Sequence, residues 1–332
     1  MTLLHADNMF DGLWETKWRM IGTLTNVTTS TSGRHATGPN GSLEMKNTGS
    51  VVYDLPLATG DSVFLGTGLR MQSTQGGNSN LQARDGSDGL LLSVNYRPAQ
   101  GALELRQGGS SGTLLDSLAI EPGSDWRHVV LEVSATAGEA RVYYNGELAC
   151  QATGLTLADV ASMGVSGNVN SVGSIRHVVF QDTWVATANL GDARVIPVRP
   201  DGVGVADEWD PDDGTSPNWG RVADLPADPD TWVETDTNGA RDSHAMANVF
   251  RDGDRPDVMG VVAYARGTKT DGVNRELSAG LRVGATNYDG DLAAIDGPTL
   301  ARRLFVEDPS TSAPWDLDDV DVVEITYVAA KP

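Results

Sequence analysis

The chain has 332 residues, 39% of them apolar, with 38 glycines, 15 prolines and a formal net charge of −21. This length suits two domains of ordinary size. The turn-rich composition with short Val, Thr and Leu runs suits an all-β fold, and no helical periodicity persists beyond about three turns. The acidity excludes a nucleic-acid partner, because a phosphate backbone needs a basic face, and it argues against an anionic membrane surface.

The N-terminal stretch MTLLHADNMFDG has neither a basic region nor a long apolar core, so it is not read as a secretory signal. No apolar run approaches the roughly 20 residues of a membrane span. Synthesis and folding in a cytoplasm are therefore expected. Along the first half, strands are predicted in SVVYDLPL (50–57) and DSVFLGTGLRMQ (61–72). A hairpin follows in GLLLSVNYRPAQGALELRQGG, turning around Pro98 to Gly101. Four more strands are expected between Gly112 and Gln151, and SIRHVVFQDTWVA closes the set. Near Ala188 to Gly191 the alternation lapses and Asp and Pro rise, which places a domain boundary there. Asp207 to Asp242 is predicted to be a long loop, ordered because Trp209, Trp219 and Trp232 can pack. A second β set follows in DVMGVVAYARGT, RELSAGLRVGATNYDG, LARRLFVEDP and VDVVEITYVAA. One short helical turn is expected near Leu317, capped by Asp316 or Asp318. There is no repeat, so a fibrous shaft is not expected.

The sharpest local signal is ARVYYNGELA (140–149). Asn145 and Gly146 tolerate the positive φ that a type I′ turn needs. Val142 and Tyr144 then face one side, with Arg141 and Tyr143 on the other. Upstream, Val129, Leu131 and Val133 share one face, and His128, Val130 and Glu132 share the opposite one. Trp-Arg-His before an apolar strand, then a strand ending in Tyr and Asn-Gly, resembles the central strands of the laminin-G-like, concanavalin-type jelly roll. The resemblance covers residues 1 to about 188, with IRHVVFQDTWV matching the closing strand. It implies fold and leaves function open, because this fold hosts lectins, glycosidases and structural modules.

A second resemblance spans the segment from LGDARVIPVRPDG onward, which is similar to a part of tailed-phage virion proteins. The matching positions are Gly191, Asp192, Arg194, Val195, Pro200, Gly202, Trp209, Val233, Gly239 and Asp242. SAGLRVGATNYDG and FVEDPSTSAPWDLDDVDVVEI continue the likeness. It implies that residues 189–332 form a smaller, virion-associated β-sandwich with a long Asp/Pro/Trp-rich loop. The chain departs from that pattern in having no fibre shaft and no peptidase motif.

Tests for chemistry return little. A glycosidase needs two carboxylates about 5 to 9.5 Å apart. Glu104 and Glu132 each stand alone, and Asp316, Asp318, Asp319 and Asp321 point to both faces of a turn. Asp210, Asp212 and Asp213 in DPDDG lack the later Glu of a calcium loop, and an Asx-type turn is the preferred reading. His5, His35, His128, His177 and His244 never fall at ligand spacing, and Cys150, the only cysteine, is read as a packed strand residue with no disulfide partner. Asp242, Ser243 and His244 adjoin in sequence without the order of a triad. Tyr264, in YARGTK, is read as a strand end, because no phosphate-loop context surrounds it. Trp14, Trp18 and Tyr96 suit either a sugar-stacking face or core packing, and packing is preferred.

The expectation is a non-enzymatic structural component of a tailed-phage virion, tail-associated or an exterior decoration, present in several copies. Its partners are other virion proteins of the head, neck or tail and further copies of itself. The alternatives are a host-glycan-binding adsorption module on the virion and a glycan hydrolase of concanavalin-like fold. No catalytic residue, cofactor or metal is assigned.

Overall fold

The computed structural model describes residues 3–7, 19–21, 27–30, 42–45, 49–55, 62–71, 78–97, 100–121, 125–157, 160–168, 178–193, 195–224, 228, 230–248 and 257–331. Trp14, Trp18, His35, His177 and Arg194 lie outside these residues. The chain forms two compact units, residues 1–195 and 196–332. The division falls a little beyond Ala188 to Gly191. The Val195 N–H donates to Asp182 Oδ1 at 3.2 Å and ties this segment to the first unit.

Among the described residues, fifteen strands build the first unit. They are β1 (Leu3–Asp7), β2 (Arg19–Ile21), β3 (Val27–Ser30), β4 (Ser42–Met45), β5 (Gly49–Asp54), β6 (Val63–Met71), β7 (Asn78–Arg84), β8 (Leu90–Arg97), β9 (Ala102–Gln107), β10 (Thr113–Ala119), β11 (Arg127–Ser134), β12 (Glu139–Tyr144), β13 (Glu147–Ala152), β14 (Ser162–Asn168) and β15 (Val178–Ala186). Sheet A runs β13-β12-β11-β6-β15-β4-β3, with β1 also on β15, and sheet B runs β10-β9-β8-β7-β14-β5-β2. Successive strands cross between the sheets: β5 is in B, β6 in A and β7 in B, and β13 to β15 repeat the exchange. With antiparallel pairing throughout, this is a jelly-roll sandwich of the concanavalin type. The closing strand β15 lies inside sheet A, between β6 and β1/β4.

The sandwich closes because alternate residues of both sheets are apolar. Leu65, Leu69, Val129, Leu131 and Val142 of sheet A meet Leu81, Leu92, Val94, Leu103 and Val165 of sheet B in one buried cluster. Asn145 (φ 50) and Gly146 (φ 89) turn β12 into β13, with Tyr144 opposite Glu147. The Asn145 side chain accepts the His128 N–H at 3.0 Å, so the turn is also stitched to β11. The outward positions of sheet A hold a surprise for simple alternation. His128, Val130, Glu132, Phe64 and Trp184 are all buried as well. The Trp184 indole lies on Gly66, where an added Cβ meets the ring at 2.2 Å.

The second unit holds β16 (Pro200–Asp207), β17 (Asp210–Pro211), α1 (Asn218–Arg221), β18 (Val233–Glu234), β19 (Arg241–Met246), β20 (Val261–Gly267), β21 (Glu276–Val283), β22 (Thr286–Asp289), β23 (Ala293–Ala294), β24 (Thr299–Phe305), α2 (Leu317–Val320) and β25 (Glu324–Ala330). Sheet C runs β16-β19-β25-β21-β22, with β23 also on β21. The β20–β24 ribbon packs on it through Ala263, Phe305, Leu281 and Ile325, closing a smaller sandwich. Asp316 caps α2 by accepting the Asp318 N–H at 2.9 Å. Tyr264 sits in mid-strand, three residues before β20 ends at Gly267.

Among the strands that escape the sequence reading, four do so for clear physical reasons. In β19 the inward positions are Asp242 and His244, so no apolar alternation marks it. The edge strand β16 leaves Val203 and Val205 63% and 67% exposed. It is held on the sheet partly by side chains, since Ser243 Oγ of β19 accepts the Ala206 N–H and Glu324 Oε2 of β25 accepts the Val205 N–H. β7 and β14 are interrupted by Asn, Gln, Ser and Gly. Trp209 packs as expected, T-shaped on Tyr327 with centroids 5.1 Å apart. Trp219 sits in α1, whereas Trp232 is 47% exposed and does not anchor the 207–242 segment. No helix among the described residues is long and apolar enough to cross a membrane.

Candidate functional site

Sheet B keeps most of its apolar residues inward and turns a mostly polar face outward. Antiparallel register aligns that face in rows. Glu104 of β9 lies opposite Asn95 of β8, and Arg106 lies opposite Ser93. Ser93 lies opposite Gln82 of β7, Gln82 opposite Gly164 of β14, and Ser166 opposite Ser50 of β5. The inner part of this face is a bonded floor. Gln82 accepts from Ser50 at 3.0 Å and from Arg84 Nη2 at 2.8 Å, and donates to Ser166 at 2.7 Å. Arg84 also donates to the Asp88 carbonyl at 2.6 Å. The hydroxyls of Ser93 and Ser162 are buried without a hydrogen-bond partner among the described residues, an arrangement that costs free energy unless a ligand or water completes it.

At the β8–β9 end the face is partly open. Arg106 Nε donates to Glu104 Oε2 at 2.8 Å, and Arg97 Nε lies 3.2 Å from the same oxygen. Arg97 Nη2 donates to the Ser110 carbonyl and Arg106 Nη1 to the Gly112 carbonyl, so both guanidinium groups are fixed by the β9–β10 turn. Among the described residues, no hydrogen bond engages Glu104 Oε1, and each guanidinium keeps N–H groups beyond those engaged with Glu104 and the two carbonyls. The side chains of Arg97, Glu104 and Arg106 keep 22%, 13% and 16% of their exposure. A carboxylate between two pre-positioned guanidinium groups presents acceptor and donors at fixed spacing, the complement of neighbouring hydroxyls.

The remaining sequence candidates fall elsewhere. Glu104 and Glu132 point outward from opposite sheets, with the core between them, so they form no carboxylate pair. Glu132 is held by Arg141 at 3.0 Å and by the Tyr143 hydroxyl at 2.8 Å. Tyr96 is 1% exposed, stacks near Tyr144 and packs in the core, with its hydroxyl pushed up to about 12 by burial. Cys150 is buried in β13, and burial pushes its thiol up to about 11. DPDDG forms a turn: Asp213 Oδ1 accepts the N–H groups of Thr215 and Ser216, and Asp212 pairs with Arg221. Asp242 and His244 sit inside the second unit, each about 1% exposed or less. Burial raises the Asp242 carboxyl to about 7 and lowers the His244 imidazole to about 4. Ser243 turns to the other face and donates to Glu324 at 2.8 Å, so the three adjacent residues form no triad. No group of three or more His, Cys, Asp or Glu suited to a metal occurs among the described residues.

Sequence reasoning found Glu104 as a lone acid and missed Arg97, because only strand register brings them together. The spacing Asn95-x-Arg97 and Glu104-x-Arg106, on two strands joined by a short turn, was the signal available.

No protein-family model and no curated protein matches this sequence. Among solved structures, the chain is similar to a protein of unknown function with a galectin-like fold from Bacillus subtilis, at 15% identity and TM-score 0.38, over 56% of this chain and 96% of that one. It is similar to carbohydrate binding module CBM66 from Bacillus subtilis, at 12% identity and TM-score 0.35, over 51% and 95%. It is similar to the exoplasmic/lumenal domain of VIP36, at 10% identity and TM-score 0.42, over 58% and 93%. It also matches a sialidase at 12% identity and TM-score 0.37, where it spans only 17% of that chain. At these similarities no activity is carried across, and the jelly-roll assignment rests on the strand order itself.

Proposed function

We propose that this protein is a non-enzymatic component of the exterior of a tailed-phage particle, present in several copies, whose first unit recognises a glycan through the outer face of sheet B. The observation that carries the recognition is the Arg97–Glu104–Arg106 row, anchored by the β9–β10 turn and open on its outer side. Sugars offer adjacent hydroxyls that donate and accept at once, and a fixed donor-acceptor-donor array suits them. The particle setting is supported by the sequence resemblance from Gly191 to Asp242 and beyond. Other virion proteins and further copies of the chain are the partners in this reading.

The test is a glycan array probed with the full chain, followed by calorimetry on any hit. Binding that Glu104→Gln weakens by about tenfold or more, with unchanged circular dichroism, supports the reading. No binding by the native chain at millimolar sugar overturns the glycan half. Immunogold labelling of purified particles tests the setting, and unlabelled particles overturn it. A second reading, a purely structural module, is favoured by the closed Gln82–Arg84–Ser50–Ser166 network, which leaves little of the inner floor open.

A further inference from the structure

Two guanidinium groups on the outer face of sheet B share a single carboxylate oxygen. Arg106 Nε donates to Glu104 Oε2 at 2.8 Å, and Arg97 Nε lies 3.2 Å from the same atom. Among the described residues no other acid pairs with either arginine, so the row carries one net positive charge. Arg97 Nη2 and Arg106 Nη1 are engaged by the Ser110 and Gly112 carbonyls, while Arg97 Nη1 and Arg106 Nη2 have no partner among the described residues. Two cations fixed side by side offer more donors than a neutral sugar needs, and ordering them costs a ligand little. Strand register sets what surrounds the row. Leu114 of the edge strand β10 lies opposite Arg106, and Ser117 lies opposite Glu104, so both extend the same outward face. Leu114 is 48% exposed, and Ser117 is exposed as well. The charged row therefore stands beside an open apolar side chain and a hydroxyl at the rim of the sheet.

We infer that this end of sheet B takes an acidic sugar, one that carries a carboxylate: the unengaged N–H groups of Arg97 and Arg106 receive the carboxylate, and Leu114 packs against the C–H face of the ring. The inference rests on the glycan reading above and narrows it. A guanidinium bond to a carboxylate is charge-assisted and about twice as strong as a bond between neutral groups. Glu104 does not cancel the pair, because it neutralises one arginine and holds both through Oε2. The rest of the molecule works in the opposite sense. With a formal net charge of −21 the chain's mean field repels anions, so general electrostatics cannot produce a preference for the acid.

The experiment uses the full chain on an array of uronate- and sialate-bearing glycans, each beside its carboxyl-reduced neutral counterpart, with calorimetry on the hits. The expected result is an acid bound at least about tenfold tighter than its neutral counterpart at low salt, an advantage that shrinks as sodium chloride rises to about 0.5 M. Arg106→Gln and Arg97→Gln each remove most of that advantage, with circular dichroism unchanged. Leu114→Ser weakens binding of the acid and leaves its salt dependence as it was. Hits confined to neutral glycans, or equal affinity for both members of a pair, overturn this inference and leave the glycan reading standing. No hit at all overturns both. An acid preference that persists in both arginine variants also overturns the inference, because it places the carboxylate elsewhere on the chain.

Discussion

The two units dispose their polar side chains in opposite ways. Sheet B of the first unit sends Gln82, Arg84, Ser93, Asn95, Glu104 and Arg106 away from the sandwich interior, while sheet C of the second sends Asp242 and His244 into it. An outward polar row can be completed by whatever approaches it: its two arginines donate to backbone carbonyls of the β9–β10 turn, and its glutamate accepts from Arg106. An inward carboxylate can be completed only by what the fold itself encloses. The difference teaches that the same residue types signal recognition in one place and a fixed internal partner in the other, and that strand register decides which.

The largest expected effect separates the units. An added Cβ at Gly164, in the middle of sheet B, falls 2.1 Å from the Val51 carbonyl and 2.7 Å from Val52 Cα. Gly164→Ala forces β14 away from β5 and costs the first unit about 3 kcal/mol. Calorimetry is expected to show one transition lowered and the other unmoved, and a joint shift breaks the comparison between independent units. Next comes the inward site. Asn218→Leu removes the amide that donates to Asp207, the Trp209 carbonyl and Asp242, and is expected to lower the second unit by about 2–3 kcal/mol in urea melts. A smaller loss means that water replaces the amide readily.

The outward floor gives finer contrasts. Ser166→Ala loses the bond from Gln82 and costs about 1 kcal/mol, while Ser93→Ala removes an unpartnered hydroxyl and is neutral or slightly stabilising. Equal losses at both positions mean that the Ser93 hydroxyl is satisfied in solution. Arg97→Ala is expected to change stability by less than about 1 kcal/mol while weakening glycan binding, a split that a purely structural ion pair does not produce.

What could be read from sequence followed what is local. The Asn145-Gly146 turn, the alternating faces of β11 and β12 and the α2 cap depend on neighbouring residues, and all are found. β19 was hidden because Arg-Asp-Ser-His-Ala-Met places charge and imidazole at its inward positions. Trp209 was marked by resemblance and as a residue able to pack, and Asp242 by resemblance without a reason. The structure supplies one: the Trp209 indole donates to the Ala240 carbonyl and packs on Tyr327, while its carbonyl joins Asp207 and Asp242 around Asn218. Asn218 carried no signal, since an asparagine after Ser-Pro reads as turn chemistry. The Arg97–Glu104 contact was equally hidden, because it depends on which strands become neighbours.

Cys150 turns this division into a kinetic tool. The chain's single thiol is buried in β13, with its proton held tightly by that burial. An alkylating reagent can reach it only when β13 peels from the sheet or the sandwich opens. Its labelling rate is therefore a clock for breathing of the first unit alone, readable by mass in the intact protein. Slowed labelling on adding a sugar or on assembly then measures how far either event locks that sandwich shut, without any engineered probe.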